Sequence, residues 1–319
     1  MTEVLIRERR GAGGAVLWLT MNRPEVRNAQ DSALIDALSA ALRDADDDDD
    51  VRVVVLAGAG DHWSAGHDLK AIVGEAEPDR WRLMRATPEG KMLHEQRMYV
   101  DRCLELYHFR KPTIAAVQGA CVAAGLMLAT MCDLIVAADD AFFSNPVLRM
   151  SGAGVELLVE PWELGVRKAK EFLLTGDAMP ATEAERQGLV NRVVPRASLV
   201  EAVTELADKV ARVPPITAQM VKGSLNQTSA LQGKENAWRH HFFVHHFTHN
   251  TATAQRMLEE RQAKSSMREV LADRDRGDVP GAAAVSTPAP AVELTTPPVP
   301  PPAPAERDPV VPVLDRHIP

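Results

Sequence analysis

Apolar residues recur with two periods along the chain. Ala15–Met21 (AVLWLTM), Val51–Ala57 (VRVVVLA), Thr113–Val117 and Leu134–Ala138 are short apolar runs of strand length, and each reads as a buried strand. Within Asp31–Asp44, Leu34, Ile35, Leu38, Ala41 and Leu42 fall at helical spacing, with Asp31 or Ser32 placed to cap the helix. A further helix is expected over Gly125–Cys132. After about residue 198 the period is helical throughout, in Val200–Val210, Thr217–Leu225, Ala237–Phe247 and Ala254–Ala263. Strands alternating with helices predict an α/β core with parallel strands over residues 1–197, followed by a helical region over 198–275. From Pro280 to Pro319, 12 of 40 residues are proline, and no aromatic residue follows Phe247. Such a segment cannot bury enough apolar surface to offset its ordering entropy. Residues 276–319 are therefore expected to be a disordered or polyproline-II tail, a spacer or a tether presenting Val310–Leu314 to a docking partner.

Composition narrows the class. The formal charge is −8 (36 basic against 44 acidic residues), which argues against a nucleic-acid partner. Cys103, Cys121 and Cys132 have no paired spacing, so no disulfide framework is expected, and the set fits a reducing, cytoplasmic compartment. The first residues carry no apolar run of the secretory kind. The most apolar stretch, Gly119–Cys132, is 14 residues long, too short to cross a bilayer, so no membrane insertion is expected. Asp46–Asp50 reads as a solvated turn rather than a metal site, because consecutive side chains point in different directions.

Two glycine-bearing loops carry the candidate chemistry. Trp63–Leu69 (WSAGHDL) follows one buried strand, and Gly119–Leu126 (GACVAAGL) follows another and runs into a helix N-terminus. Small residues let the backbone approach a ligand closely, and free N–H groups at a helix start suit developing negative charge. Two such N–H groups can form an oxyanion hole.

Together with Leu19–Pro24, Asn28-Ala29, Val53–Gly58, Lys111–Gly119, Cys132–Ala137, Ala141–Phe143, Leu174–Gly176 and Gly188–Val194, these loops resemble the crotonase (enoyl-CoA hydratase/isomerase) family from about residue 3 to 262. The resemblance implies a crotonase-like spiral of ββα units with a helical C-terminal trimerisation region, as a homotrimer or dimer of trimers. It implies an acyl-CoA substrate and stabilisation of a thioester enolate. No separate cofactor and no metal are expected, since coenzyme A is part of the substrate. The resemblance places the oxyanion-hole donors at the backbone N–H groups of His67 and Ala124. It assigns substrate and CoA contacts to Val26, Arg27, Ala29, Ala65, Gly66, His67, Asp68, Leu69, Ala123, Met127 and Val147. Ala124 stands where many relatives have glycine; the hole survives there provided the backbone does not need a positive φ.

The departures from the family pattern concern proton transfer. The two glutamates of ordinary hydratases fall at Met127 and Val147, neither of which can move a proton. A C-terminal lysine that often reaches CoA phosphate falls at Glu260. Glu156 is the foremost substitute acid, expected to have its pKa raised by desolvation against Leu126, Met127 and Val147. Its alternative role is to start the next helix. Glu160, Glu163 and the His67 side chain are weaker candidates. Trp81–Glu95 is expected to cover the acyl pocket. His241, His245 and His249 fall four apart on one helix face, a spacing that could bind a metal, but no carboxylate lies on that stripe; these residues, with His240 and His246, read as interface or surface histidines ahead of a metal site. Phe242, Phe243 and Phe247 read as core or interface aromatics. Two function classes follow: an acyl-CoA enzyme of the lyase or isomerase kind, or an acyl-CoA-binding protein that has lost catalysis.

Overall fold

The computed structural model describes residues 3–72, 79–84, 86–150, 152–264 and 267–276. The expected tail lies outside the described residues. The strands are β1 (Leu5–Arg10), β2 (Val16–Met21), β3 (Val53–Gly58), β4 (Thr113–Val117), β5 (Ala120–Val122), β6 (Leu134–Ala138), β7 (Phe142–Ser144), β8 (Met179–Pro180) and β9 (Arg192–Val194). The helices of the first half are α1 (Ser32–Asp47), α2 (Leu69–Ile72), α3 (Asp79–Met84), α4 (Pro88–Glu95), α5 (Asp101–Tyr107) and α6 (Ala124–Thr130). Then come α7 (Glu160–Leu164), α8 (Val166–Thr175), α9 (Ala181–Gln187), α10 (Leu199–Ala211), α11 (Pro215–Leu231), α12 (Lys234–His249), α13 (Ala252–Gln262) and α14 (Met267–Arg276).

The main sheet has the order β1-β2-β3-β4-β6-β9, and β5-β7-β8 form a smaller one. From β2 to β9 the main sheet is parallel, whereas β1 runs antiparallel on the edge. Parallel strands need both faces covered, and the side-chain period of two provides both. Val16, Trp18, Val53, Val55, Ile114 and Ala116 point to one face, where Leu199, Val203, Leu206 and Ala207 of α10 close it. Leu17, Leu19, Val54, Leu56, Ala115 and Val117 point to the other, into the larger core with α1, α5 and α6. The edge strand β1 was not among the expected strands because only Leu5 is buried and the rest of LIRERR faces water.

Asp31, not Ser32, caps α1 by accepting a bond from Leu34 N–H at 2.9 Å. The aspartate run divides. Asp46 and Asp47 complete α1 and Asp48 is its C-cap, while Arg9 and Arg110 pair with Asp48 and Asp46. Lys111 Nζ donates to the carbonyls of Ala45 and Asp48 at 2.7 Å each, satisfying acceptors at the helix end. Among the described residues no helix is long and apolar enough to cross a membrane.

Candidate functional site

The neighbouring parallel strands β3 and β4 carry the two loops at their carboxyl ends, the edge at which open α/β sheets place ligands. A short ladder ties the loops together. Ser64 N–H donates to Ala120 O at 3.1 Å and Val122 N–H to Ser64 O at 3.0 Å. On the other flank Ala65 N–H donates to Arg27 O, Gln30 N–H to Gly66 O and Asp68 N–H to Gln30 O, at 2.8–3.0 Å. The segments Val26–Ala29 and Ala65–Leu69 are thus brought side by side. Asn28 holds the first from inside: its Oδ1 accepts from Arg23 N–H, and its Nδ2 donates to Ala59 O and His62 O. Arg23 reaches Asp68 at 3.0 Å and Asp31 at 3.2 Å. Arg27 stays exposed, while Ala29 is buried.

Two glycines permit the close approach. At Gly125 a Cβ would stand 2.5 Å from Ser64 O. At Gly66, φ is +89° and a Cβ would stand 3.1 Å from the Ala124 nitrogen, so the strand of loop before His67 lies directly against the start of α6. Among the hydrogen bonds of the described residues, the main-chain N–H groups of His67 and Ala124 have no acceptor. At the end of this loop the positive φ falls on Ala123 (φ 52°, ψ −118°), not on Ala124, which begins the helix. Alanine is therefore no obstacle at 124.

His67 is the meeting point of the side chains. Its ring stacks on Tyr99 with centroids 3.7 Å apart, and its Nε2 lies 3.1 Å from Oε2 of Glu156. Nδ1 of His67 is buried and without a hydrogen-bond partner. Met127 and His67 line one apolar cavity together with Leu38, Met98, Tyr99 and Cys103. Its volume is about 30 Å³, enough for a water or two and not for an acyl chain. Arg102 and Leu106 complete that side of the cavity, and the segment Trp81–Glu95 expected to cover the acyl pocket lies only partly within the described residues. Val147 is half-buried and meets Gly152 in the loop before Glu156, away from that cavity.

Glu156 differs from expectation in two respects. It sits in the irregular loop before α7, four residues short of the helix start at Glu160, so it is not a helix-start residue. Burial alone would raise its carboxyl, but the charge and hydrogen bond of His67 outweigh burial, and His245 adds to them; the carboxyl lies below the ordinary value rather than above it. The loop is clamped from α12. His241 Nε2 lies 2.9 Å from Val155 O, His245 Nδ1 lies 2.9 Å from Gly154 O, and Ala153 N–H donates to Thr248 Oγ1 at 3.1 Å. The histidine stripe thus faces the Glu156 loop, with His241 and His245 buried. It also meets a carboxylate from another element: Glu95 Oε2 lies 3.2 Å from His245 Nε2 and 3.1 Å from His246 Nε2. The sequence showed no acid on the stripe because Glu95 is 150 residues away.

The weaker acid candidates are otherwise engaged. Glu160 is buried, accepts from Asn145 Nδ2 at 2.6 Å, and is raised above its ordinary value by burial despite that bond. Glu163 pairs with Lys234 at 3.1 Å. Glu260 lies in a groove with Arg149, Arg261 and Lys264. Phe242 is buried, whereas Phe243 and Phe247 are exposed in the single chain. Tyr99 and Glu95 were not among the expected site residues; the histidine-to-ring and histidine-to-acid contacts that mark them are long-range.

The family model described as Enoyl-CoA hydratase/isomerase matches residues 11–266. EchA13 of Mycobacterium tuberculosis, which bears an enoyl-CoA hydratase name, is 40% identical over 247 residues, covering 74% of this chain and 78% of that protein. The crystal structure of a probable enoyl-CoA hydratase from Mycobacterium smegmatis is similar at 42% identity and a TM-score of 0.71, covering 78% of this chain and 96% of that one. An enoyl-CoA hydratase/isomerase from Xanthobacter autotrophicus Py2 is 30% identical with a TM-score of 0.75, covering 86% and 97%.

Proposed function

The chain belongs to the enoyl-CoA hydratase/isomerase family, and from that premise we propose that it moves a proton at an acyl-CoA thioester with a His67–Glu156 dyad beside a two-amide oxyanion hole. One observation carries the reading: the residue whose main-chain N–H is offered to the thioester also carries an imidazole 3.1 Å from a buried carboxylate. Glu156 is held in its charged form by His67. Its carboxylate accepts a hydrogen bond from Nε2–H, orients the ring, and leaves Nδ1 as the nitrogen that exchanges a proton with substrate.

A single base that takes and returns one proton completes a double-bond shift. The C2–H bond of a 3-enoyl thioester breaks and its proton passes to His67. The electron pair moves to the carbonyl oxygen, where the His67 and Ala124 N–H groups stabilise it. The proton then returns at C4 to give the conjugated 2-enoyl thioester, with no atom gained or lost. Water addition instead needs groups to activate water and protonate carbon, and Met127 and Val147 supply neither. The assembly of copies expected from the family belongs to the same proposal, as do the CoA contacts of Val26, Arg27, Ala29 and Ala65–Leu69.

The test compares isomerisation of a short 3-enoyl-CoA with hydration of crotonyl-CoA. Isomerisation should exceed hydration. Glu156→Gln should lower kcat by about 10²–10⁴ while leaving CoA-thioester affinity nearly unchanged. His67→Ala keeps the main-chain N–H and should lose as much, and the double variant should be no worse than either single one. Efficient hydration by the wild type, unaffected by either substitution, overturns the dyad. Tight binding without turnover of any enoyl-CoA selects the non-catalytic acyl-CoA-binding reading.

A further inference from the structure

We propose that Glu95, His245 and His246 form a binding site for one divalent transition-metal ion, with zinc as the type. The three residues come from two elements. Glu95 ends α4 and leads into the π-helical turn Gln96–Val100, a feature that often accompanies functional sites. His245 and His246 lie on α12. One donor atom from each residue lies within 4.8 Å of the other two. The two nitrogen-to-oxygen separations, 3.2 and 3.1 Å, are close to the edge of a tetrahedron with bonds of about 2.0–2.2 Å. Two imidazoles and one carboxylate are a donor set for zinc and its neighbours rather than for calcium or magnesium.

The hydrogen bonds around the triad assign the free lone pairs. Gly154 O can only accept, so His245 carries a hydrogen on Nδ1, and Nε2, which faces Glu95 Oε2 at 3.2 Å, is the nitrogen a metal would take in place of a proton. A backbone carbonyl holding the far nitrogen is the usual support of a metal-bound histidine. His246 is buried, yet neither of its ring nitrogens makes a hydrogen bond; Nε2 lies 3.1 Å from Glu95 Oε2 without hydrogen-bond alignment. On the carboxylate the two oxygens are divided. Lys91 Nζ faces Oε1 at 3.8 Å, while Oε2 faces both imidazoles. Around the triad, His249 packs edge-on to His245 and Phe242 edge-on to His246. A proton on each ring would leave two imidazolium groups 5.3 Å apart in a buried site, one of them misaligned with its acceptor. A metal ion takes all three lone pairs at once and needs no N–H alignment. Bound there, it would fasten the turn after α4 to α12 and, through His245 and Gly154, steady the loop that carries Glu156.

The full chain without an affinity tag, stripped with a chelator, is titrated with zinc chloride and then with cobalt(II). One equivalent of zinc should bind and raise the melting temperature, and cobalt should give the visible absorption of a four-coordinate N/O site. Glu95→Gln and His246→Gln should each weaken zinc binding by about 10–100-fold or more. His240→Gln, at an exposed position on the same helix, should leave binding unchanged. Should the buried variants fail to fold, the wild-type cobalt spectrum decides the matter. An octahedral spectrum, less than one equivalent of zinc, or an equal loss in His240→Gln overturns the site in favour of a carboxylate–imidazolium cluster.

Discussion

Ala123 occupies φ 52°, ψ −118°, a conformation that costs an L-residue about 1–3 kcal/mol and that glycine adopts freely. The strain is held by Ala123 N–H donating to Ser144 O at 2.8 Å and by Met127 N–H donating back to Ala123 O at 3.0 Å. Ala123→Gly should therefore be neutral to stabilising, by up to about 1 kcal/mol, because relief of strain offsets the added freedom of the unfolded chain. Gly66→Ala should do the opposite. Its positive φ and the 2.9 Å approach to Val122 O leave no room for a methyl group, and a loss of several kcal/mol with loss of turnover is expected. Urea unfolding of both variants checks the pair; equal effects would show that the loop is more plastic than these contacts imply. The cysteines give a second residue-scale expectation. Burial pushes Cys132 up to about 12 and raises Cys103 and Cys121 as well. Their folded pKa lies above the unfolded one, so the stability they contribute is intact below about pH 8.5 and is lost as pH climbs toward 12. At pH 8 a thiol reagent should label none of the three in the folded protein and all three in guanidinium. Rapid native labelling would contradict their burial.

At the scale of elements, α12 is the bracket for the loop that carries Glu156. Positions 241, 245 and 248 recur at helical spacing and bind three successive main-chain groups, Val155 O, Gly154 O and Ala153 N–H. His241→Phe keeps a ring of similar size but leaves Val155 O buried without its donor, which costs about 1–3 kcal/mol. It should lower kcat through displacement of Glu156 while KM stays within a few-fold, and His241→Gln, which retains a donor, should recover part of the loss. A drop in stability with kcat unchanged would separate the clamp from the chemistry. The strands β2, β3, β4 and β6 and the helices α1, α6 and α10 were legible in the sequence to within a few residues, because the strands and α6 are continuous apolar runs while α1 and α10 repeat their buried positions at helical spacing. The loops were legible as glycine-bearing segments after strands. The partners of His67 and the target of the histidine stripe were not. Tyr99, Glu95 and the carbonyls of 154 and 155 meet them only through long-range packing that no local period records. The same holds for the direction of the Glu156 shift: the apolar neighbours were readable, and the imidazole that outweighs them was not.

At the scale of the whole molecule, the described residues lie within Met1–Pro280, and the family match ends at residue 266. Truncation after Gly277 should accordingly preserve folding and turnover. The exposed apolar surface argues for self-association. Ile216, Met220, Leu225 and Leu231 on α11 and Phe243 and Phe247 on α12 are each more than 60% exposed in the single chain. Isolated exposed apolar residues are ordinary, but Ile216, Met220 and Leu231 share one side of α11 and Phe243 and Phe247 stand four apart on α12, which packs on it, more large exposed apolar side chains on two neighbouring helices than a lone chain usually carries. The aromatic members alone can bury about 150–250 Å² each. Met220→Asp with Phe247→Asp would place carboxylates in such an interface, where desolvating an unpaired charge outweighs the apolar gain. Light scattering should show a trimer, or a multiple of it, for the wild type and a monomer for the double variant, with far-ultraviolet circular dichroism unchanged. A wild type that runs as a monomer at micromolar concentration would sink the assembly reading. A variant that stays assembled would move the interface off α11 and α12.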